Sequence, residues 1–418
     1  MFMADVIHEE PVGDVTDAST FDTAQLGFMC GIEVHQQLAT GKLHSRQPSM
    51  LYDVTIDTVP NDWPRYARKL RLASGEGGKV DVAARFEKRR NRSFVYIQSP
   101  NSGLIELDES PPLSHDEDAL EVALTVSAML QAKPLGALQT MRKTVVDGSN
   151  TSGFQRTTLI STDGVLKTQT GNVGIDVLCL EEDSARKLDS LSTDHGEQVI
   201  YNLDRLGVPL IEIATSPDIQ SPEHAKETAQ ALGRTLRDTR RVRRGLGSIR
   251  QDLNVSVACG DRVEIKGCQD LAWIPRIVRL EMVRQVHMYR LANELRSTLD
   301  LPPLPQDRRL DDADVESNVA EVVATHIPLE CSDVTTSFSS CDSRMVKQGL
   351  ESGYIMLALP LPGFAGKIGS KVLDSEGSQL PRLGRELAGA AKLAGVRGVF
   401  HSDELPAYGI EDEHVQSV

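Results

Sequence analysis

The chain has 418 residues, enough for two or three domains around a sizeable buried core. Its 60 acidic residues outnumber 45 basic ones, giving a formal net charge of −15. That balance excludes a generally basic nucleic-acid binder and confines any polyanion contact to local clusters, RFEKRRNR (85–92) and RTLRDTRRVRRGLGSIR (234–250). The basic set holds 31 Arg and only 14 Lys, and an acidic surface with Arg favoured over Lys fits a salt-adapted cytoplasm. No run of about 18 apolar residues occurs, so no membrane-spanning helix is expected. The six cysteines are scattered without a CxxC pair, which argues against a zinc ribbon or a disulfide framework and for buried cytoplasmic thiols.

In chain order, residues 1–24 are acidic, lack the basic-then-apolar order of a signal peptide, and read as a disordered acidic tail. Residues 25–300 form the main domain, with apolar–polar alternation dominant and Gly-rich turns between strands. Three helices interrupt it. The first is expected at 114–131, opened by Ser114 with Glu117 as a capping box. The second is expected at 221–240, with Ser221 as cap and Pro222 in the first position. The third, 275–299, is long and amphipathic. The Pro- and Asp-rich stretch 301–317 reads as a linker. Beyond it, 318–418 reads as an α+β domain, with a strand in YIMLALPL (354–361) and a helix in RLGRELAGAAKLAG (382–395).

Residues two apart on a strand point the same way. In GIEVHQQL (31–38), Glu33, His35 and Gln37 therefore share a face, and Ile32 and Val34 take the other. Arg250, Asp252, Asn254 and Ser256 align in RQDLNVSV, as do Glu264 and Lys266 in VEIK. An antiparallel sheet with one wet face would give the same alternation. Two features argue for more. Glu212 stands alone in the apolar run PLIEIAT (209–215), where an ionised carboxylate is costly without a cation or donors. The segment GIDVLCLEEDSAR (174–186) ends in three successive acids, Glu181, Glu182 and Asp183.

A hard cation relieves such crowding. Mg²⁺ takes oxygen ligands, with carboxylates from Glu33, Glu182 and Glu212, and His35 adds an imidazole that would suit Mn²⁺ equally. Arg250 and Lys266 then face phosphates. The loop MRKTVVDGSNTSGFQRT (141–157) can offer backbone N–H groups and hydroxyls to a phosphate, with Lys143, Ser149 and Asn150 as the candidate contacts, and an elaborate turn explains it equally well. No Walker A sequence, dinucleotide fingerprint or GxSxG elbow is present.

These same blocks, from GIEVHQQL through YNLDRLGVPLIEIATSPDIQSPEHA, RRGLGSIRQDLNVSV and VEIKGCQDL, resemble the B/E family of tRNA-dependent amidotransferase subunits over about residues 27–290. DGSNTSGFQRT is similar to the archaeal E branch. GFAGKIGS, LPRLGRELAGAAKLAG and GVFHSDELPAYGI look like its aspartyl-tRNA-synthetase-like insertion.

The resemblance implies an α/β cradle domain, a mixed and largely antiparallel sheet of glutamine-synthetase-like kind, followed by the α+β insertion domain. It implies ATP-dependent phosphorylation of the glutamyl side chain on Glu-tRNA(Gln), then amidation with ammonia from a partner D subunit that is asparaginase-like, within a cytoplasmic heterotetramer. The family's metal-binding residues fall on Glu33, His35, Glu182 and Glu212, and Arg250 and Lys266 join Glu33 and His35 as the expected catalytic set. Relatives place cysteines after the first strand. This chain has KLHSRQPS (42–49), so no zinc is expected. It also stops where relatives continue into helical and tail domains, so a truncated or split chain is expected. Two other readings are a small-molecule carboxylate–amine ligase and a non-catalytic tRNA-binding or assembly fragment.

Overall fold

A computed structural model describes residues 6–69, 85, 87, 91–193, 196–310, 325 and 330–418, and the chain divides into two compact units. One unit comprises the described residues of 30–254 together with 264–275. The other comprises the described residues up to Met29, together with 255–263 and the described part of 276–418.

The alternating stretch folds into strands at the expected places. In chain order the elements are β1 (Met29–Gln37), β2 (Arg65–Lys69), β3 (Ser93–Ile97), helix α1 (Glu117–Met129), β4 (Lys133–Pro134), β5 (Thr140–Thr144), β6 (Phe154–Lys167), β7 (Asn172–Glu182), β8 (Arg186–Thr193), β9 (Gly196–Asn202), β10 (Pro209–Thr215), helix α2 (Pro222–Asp238), β11 (Ile249–Ser256) and β12 (Val263–Ile265). The larger sheet runs β12-β11-β1-β10-β7-β6-β4, with β5 also paired to β6. A second sheet runs β2-β3-β9-β8. The strands β1, β10, β7 and β6 are antiparallel neighbours, whereas β3 and β9 run parallel.

Burial fixes which face is which. Ile32, Val34, Ile211, Ile213, Leu178 and Leu180 are all buried on one side of the larger sheet. Each such side chain contributes about 1.5–3 kcal/mol when removed from water. Helix α1 packs against β6 and β7, and α2 packs against β6 and α1. The seam is tied by a hydrogen bond between Ser127 Oγ and Ser161 Oγ of 2.8 Å. With that face committed to helices, the residues between those apolar positions must project the other way.

Helix α2 starts as expected, with Ser221 accepting from His224 N at 3.1 Å and Pro222 in the first turn. Helix α1 does not. Its cap is Asp116, whose Oδ1 accepts from Ala119 N at 2.9 Å, and Ser114 lies outside the helix. The cause is local. Leu113 N donates to His44 O at 2.9 Å and Asp116 N to Leu43 O at 2.8 Å, which holds 113–116 alongside the chain at 43–44. A carboxylate cap also complements the positive end of the helix.

The other unit contains most of helix α3 (Ile274–Thr298), then β13 (Ser332–Asp333), α4 (Thr335–Phe338), α5 (Arg344–Glu351), β14 (Leu357–Ala358), α6 (Leu383–Leu393) and α7 (Asp412–Gln416). Val334, Phe338, Cys341, Val346 and Ile410 form its core. The strand expected over 354–361 shrinks to two residues paired with β13. Pro360 and Pro362 follow it directly, and neither has an N–H for a ladder.

A boundary near residue 300 was expected, yet α3 belongs with the C-terminal part. Arg276 binds Asp374 and Ser378, Arg284 reaches Glu386 at 3.4 Å, and Lys367 pairs with Glu294. The N-terminal segment, expected to be solvated, joins the same unit from Ile7 onward. Ile7 N donates to Asp307 Oδ2 at 3.0 Å, Arg290 grips Pro11 O and Gly13 O, and Phe21 is buried. Of the linker, residues 311–317 lie outside the described residues, as do 86 and 88–90 of the 85–92 cluster, in which Arg92 pairs with Glu87. The cysteines are free thiols, all buried except Cys331.

Candidate functional site

The site lies on the face of the larger sheet opposite helices α1 and α2, across β1, β10 and β7. Register brings it together: His35 sits opposite Glu212, Glu212 opposite Cys179, and Leu210 opposite both Gln37 and Glu181. Glu33, His35, Glu212 and Glu181 therefore share one face. His35 Nε2 lies 3.3 Å from Glu33 Oε1, 3.5 Å from Glu181 Oε1 and 3.9 Å from Glu212 Oε2. One donor atom from each of Glu33, His35 and Glu212 falls within 4.8 Å of the others, a spacing able to hold a metal ion.

The electrostatics are those of an acid cluster short of positive charge. Burial is the main force raising the Glu212 carboxyl, with the Glu181 charge next. Burial also raises Glu33, reinforced by Glu212, and it raises Glu181. The Cys179 thiol on the same face is pushed up to about 12, by burial first and then by Glu212 and Glu181. Glu212 Oε2 is buried and makes no hydrogen bond. Lys143, exposed on β5, is the nearby cation whose charge acts on Glu33, Glu181 and Glu212.

The expected ligand Glu182 is not in this cluster. It projects to the opposite face, where Arg156 NH1 contacts its Oε2 at 3.0 Å, and Glu181 stands in the cluster instead. Alternation is the reason. Leu178 and Leu180 face the helices, so Glu182 continues their row and Glu181 continues that of Cys179. That signal was present in the sequence. Thr157, opposite Glu181 on β6, donates its hydroxyl to Glu181 Oε2 at 3.2 Å.

Arg250 lies on β11, beside β1, and is held by Asp183. The carboxylate accepts from Arg250 NH2 at 3.0 Å and from Gln37 Nε2 at 2.7 Å, with Arg205 Nε at 3.6 Å. Sequence reasoning had not singled out that hub. Lys266 is placed differently from expectation: it stands two strands from β1, pairing with Glu264 at 2.6 Å and Asp252 at 3.1 Å.

The Gly148–Gly153 loop is tightly built. Tyr96 and Tyr201 donate to Gly148 O and Asp147 O, and Ser149 Oγ donates to Asp147 Oδ1 at 2.7 Å. Asn150 is buried and accepts from Ser184 Oγ at 2.9 Å. Gly148 has φ +86°, and a Cβ there would fall 2.4 Å from the Phe94 ring. Ser149 and Asn150 thus serve the loop's own structure, and of its three candidate contacts only Lys143 acts on the acids.

The family profile described as "GatB/GatE catalytic domain" matches residues 28–348. The chain is 43% identical over 395 residues to a Pyrococcus furiosus protein named as the E subunit of glutamyl-tRNA(Gln) amidotransferase, covering 94% of this chain and 57% of that protein. It is similarly 42% identical over 399 residues to the Methanocaldococcus jannaschii protein of that name (94% of this chain, 57% of that one), and 41% identical over 399 residues to the one from Methanosarcina acetivorans (95% and 57%). The chain thus spans a little over half the length of these curated relatives. No helix among the described residues is long and apolar enough to cross a membrane. The profile match takes in every strand of the acid cluster, and the chain belongs to the GatB/GatE family.

Proposed function

We propose that this chain phosphorylates the side-chain carboxylate of glutamate esterified to tRNA(Gln), using ATP, as the kinase step of an amidation. The observation that carries the reading is the buried Oε2 of Glu212, which makes no hydrogen bond amid two further carboxylates and an imidazole. Oxygen donors with one imidazole fit Mg²⁺ or Mn²⁺, and Glu33, His35, Glu212 and Glu181 would hold the ion. When bound, the cation supplies charge neutralisation at the triphosphate.

The protein's own residues do the rest. Glu33, Glu181 and Glu212 fix one end of the site, and the rigid antiparallel register holds their spacing. Lys143 and Arg250 provide positive charge for phosphate oxygens, with Arg250 aimed by Asp183. A carboxylate oxygen of the substrate attacks the γ-phosphorus of ATP, and ADP leaves. The resulting acyl phosphate is open to ammonia, which forms the amide as phosphate departs. In keeping with the family resemblance, a separate asparaginase-like chain supplies the ammonia in a cytoplasmic assembly of two kinds of chain.

The test is single-turnover phosphorylation of Glu-tRNA(Gln) with labelled ATP and Mg²⁺. Glu212→Gln should lower the rate by at least about 100-fold, the scale of losing a directly placed charge. Unchanged phosphorylation by that variant, or stimulation by free glutamate in place of the charged tRNA, would overturn the reading.

A further inference from the structure

Strand β6 carries two adjacent threonines, Thr157 and Thr158, that meet opposite faces of the larger sheet. Thr158 stands opposite Leu180, on the side where α1 packs, and bonds His115 Nε2 at 2.8 Å and Thr140 Oγ1 at 2.9 Å. Thr157 stands opposite Glu181 and is buried, and its hydroxyl donates to Glu181 Oε2 at 3.2 Å.

An irregularity in the strand pairing sets this up. Ser161 lies opposite Leu178, and its hydroxyl meets that of Ser127 on α1 at 2.8 Å, so it faces the helices. Strict alternation back from Ser161 would bring Leu159 and Thr157 to the same side. The register shifts between Leu159 and Ser161, however, where β6 has one residue more than β7. A bulge of this kind re-aims the side chains beyond it, and here it turns Thr157 to the acid face.

The two oxygens of Glu181 then meet different neighbours. Oε1 lies 3.5 Å from His35 Nε2, within the cluster, and Oε2 takes the Thr157 hydrogen bond. The side chain is 2% exposed, so bulk water does not replace a lost donor. The branched Cβ of threonine restricts χ1, which fixes the direction of the hydroxyl.

We infer that Thr157 is a positioning residue for the acid cluster: by holding Oε2 of Glu181 it keeps Oε1 turned toward His35, among the donors that would hold the divalent cation. It acts through Glu181, and the inference rests on the cation site of the proposed function. Partners of this kind orient ligating carboxylates, and their loss costs about 10–100-fold in metal affinity. The adjacent Thr158 supplies the control, because it has the same chemistry on the other face of the sheet.

The experiment measures Mn²⁺ binding to the full 418-residue chain by electron paramagnetic resonance, with far-UV circular dichroism to confirm the fold. T157V keeps the shape of the side chain without its hydroxyl and should weaken Mn²⁺ binding by about 10-fold or more. T157S restores the donor and should return the affinity to the parent value. T158V loses the bonds to His115 and Thr140 and should leave the affinity unchanged. Parent affinity in T157V, or a T157S as weak as T157V, would overturn the inference. So would a loss in T158V equal to that in T157V, which would assign the effect to packing of β6. E212Q removes a ligand itself and should weaken binding whatever Thr157 does. Parent affinity in E212Q would overturn the cation site together with this inference, whereas parent affinity in T157V alone would overturn only the positioning role.

Discussion

Glu181 and Glu182 are adjacent in sequence but meet different surroundings, so substituting each in turn separates two roles. Glu181 lies 3.5 Å from His35, whereas Glu182 is buried against Arg156 at 3.0 Å. E181Q should weaken Mn²⁺ binding, read by electron paramagnetic resonance, by about 10-fold or more, with the melting temperature held or raised. E182Q should leave Mn²⁺ affinity near the parent value and lower stability by about 3 kcal/mol, since it strands the largely buried guanidinium of Arg156. The reverse pattern would return Glu182 to the cluster. The acids also set a pH dependence. Glu33, Glu181 and Glu212 have folded pKa values raised by burial, so their contribution is fully present below the ordinary Glu range and is lost as pH rises through the folded values. Without divalent cations, the chain should therefore melt higher at about pH 5.5 than at pH 7. A flat or opposite profile would show that these three carboxylates do not dominate that window.

Elements were legible in the sequence wherever one side chain period ran unbroken. The alternation in 31–38 gave β1 with Glu33 and His35 on one face, the apolar run 209–215 gave β10, and the register of the two strands adds Glu212 to that face. Ser221 with Pro222 gave the start of α2, because cap and first turn are local chemistry. What was hidden depended on partners distant in the chain. Ser114 looked like a cap, but strand-like hydrogen bonds from Leu113 and Asp116 to residues 43–44 delay the helix until Glu117. Arg250 and Lys266 read alike on their strands, yet only sheet order shows that one lies beside β1 and the other an extra strand away. The cap makes a direct test. D116A should lower stability by about 1 kcal/mol and S114A by less than about 0.5 kcal/mol in chemical denaturation. Equal losses would restore Ser114 as the functional cap.

At the scale of the whole molecule, two electrostatic terms oppose folding and respond differently to ions. One is diffuse: a net charge of −15 repels itself, and any salt screens it. The other is local: three carboxylates crowd His35 with one buried oxygen making no hydrogen bond, and screening reaches such groups poorly. KCl should therefore raise the melting temperature gradually over about 0.05–1 M, as a Debye length falling from roughly 14 to 3 Å requires. MgCl₂ at matched ionic strength should raise it further, because a ligand bound only by the folded state adds RT ln(1 + [L]/Kd). The excess over KCl belongs to the cluster, so it should vanish in E212Q while the KCl response persists. If E212Q kept the full excess, Mg²⁺ would be acting on the acidic surface at large, and the local account of the acid cluster would fail.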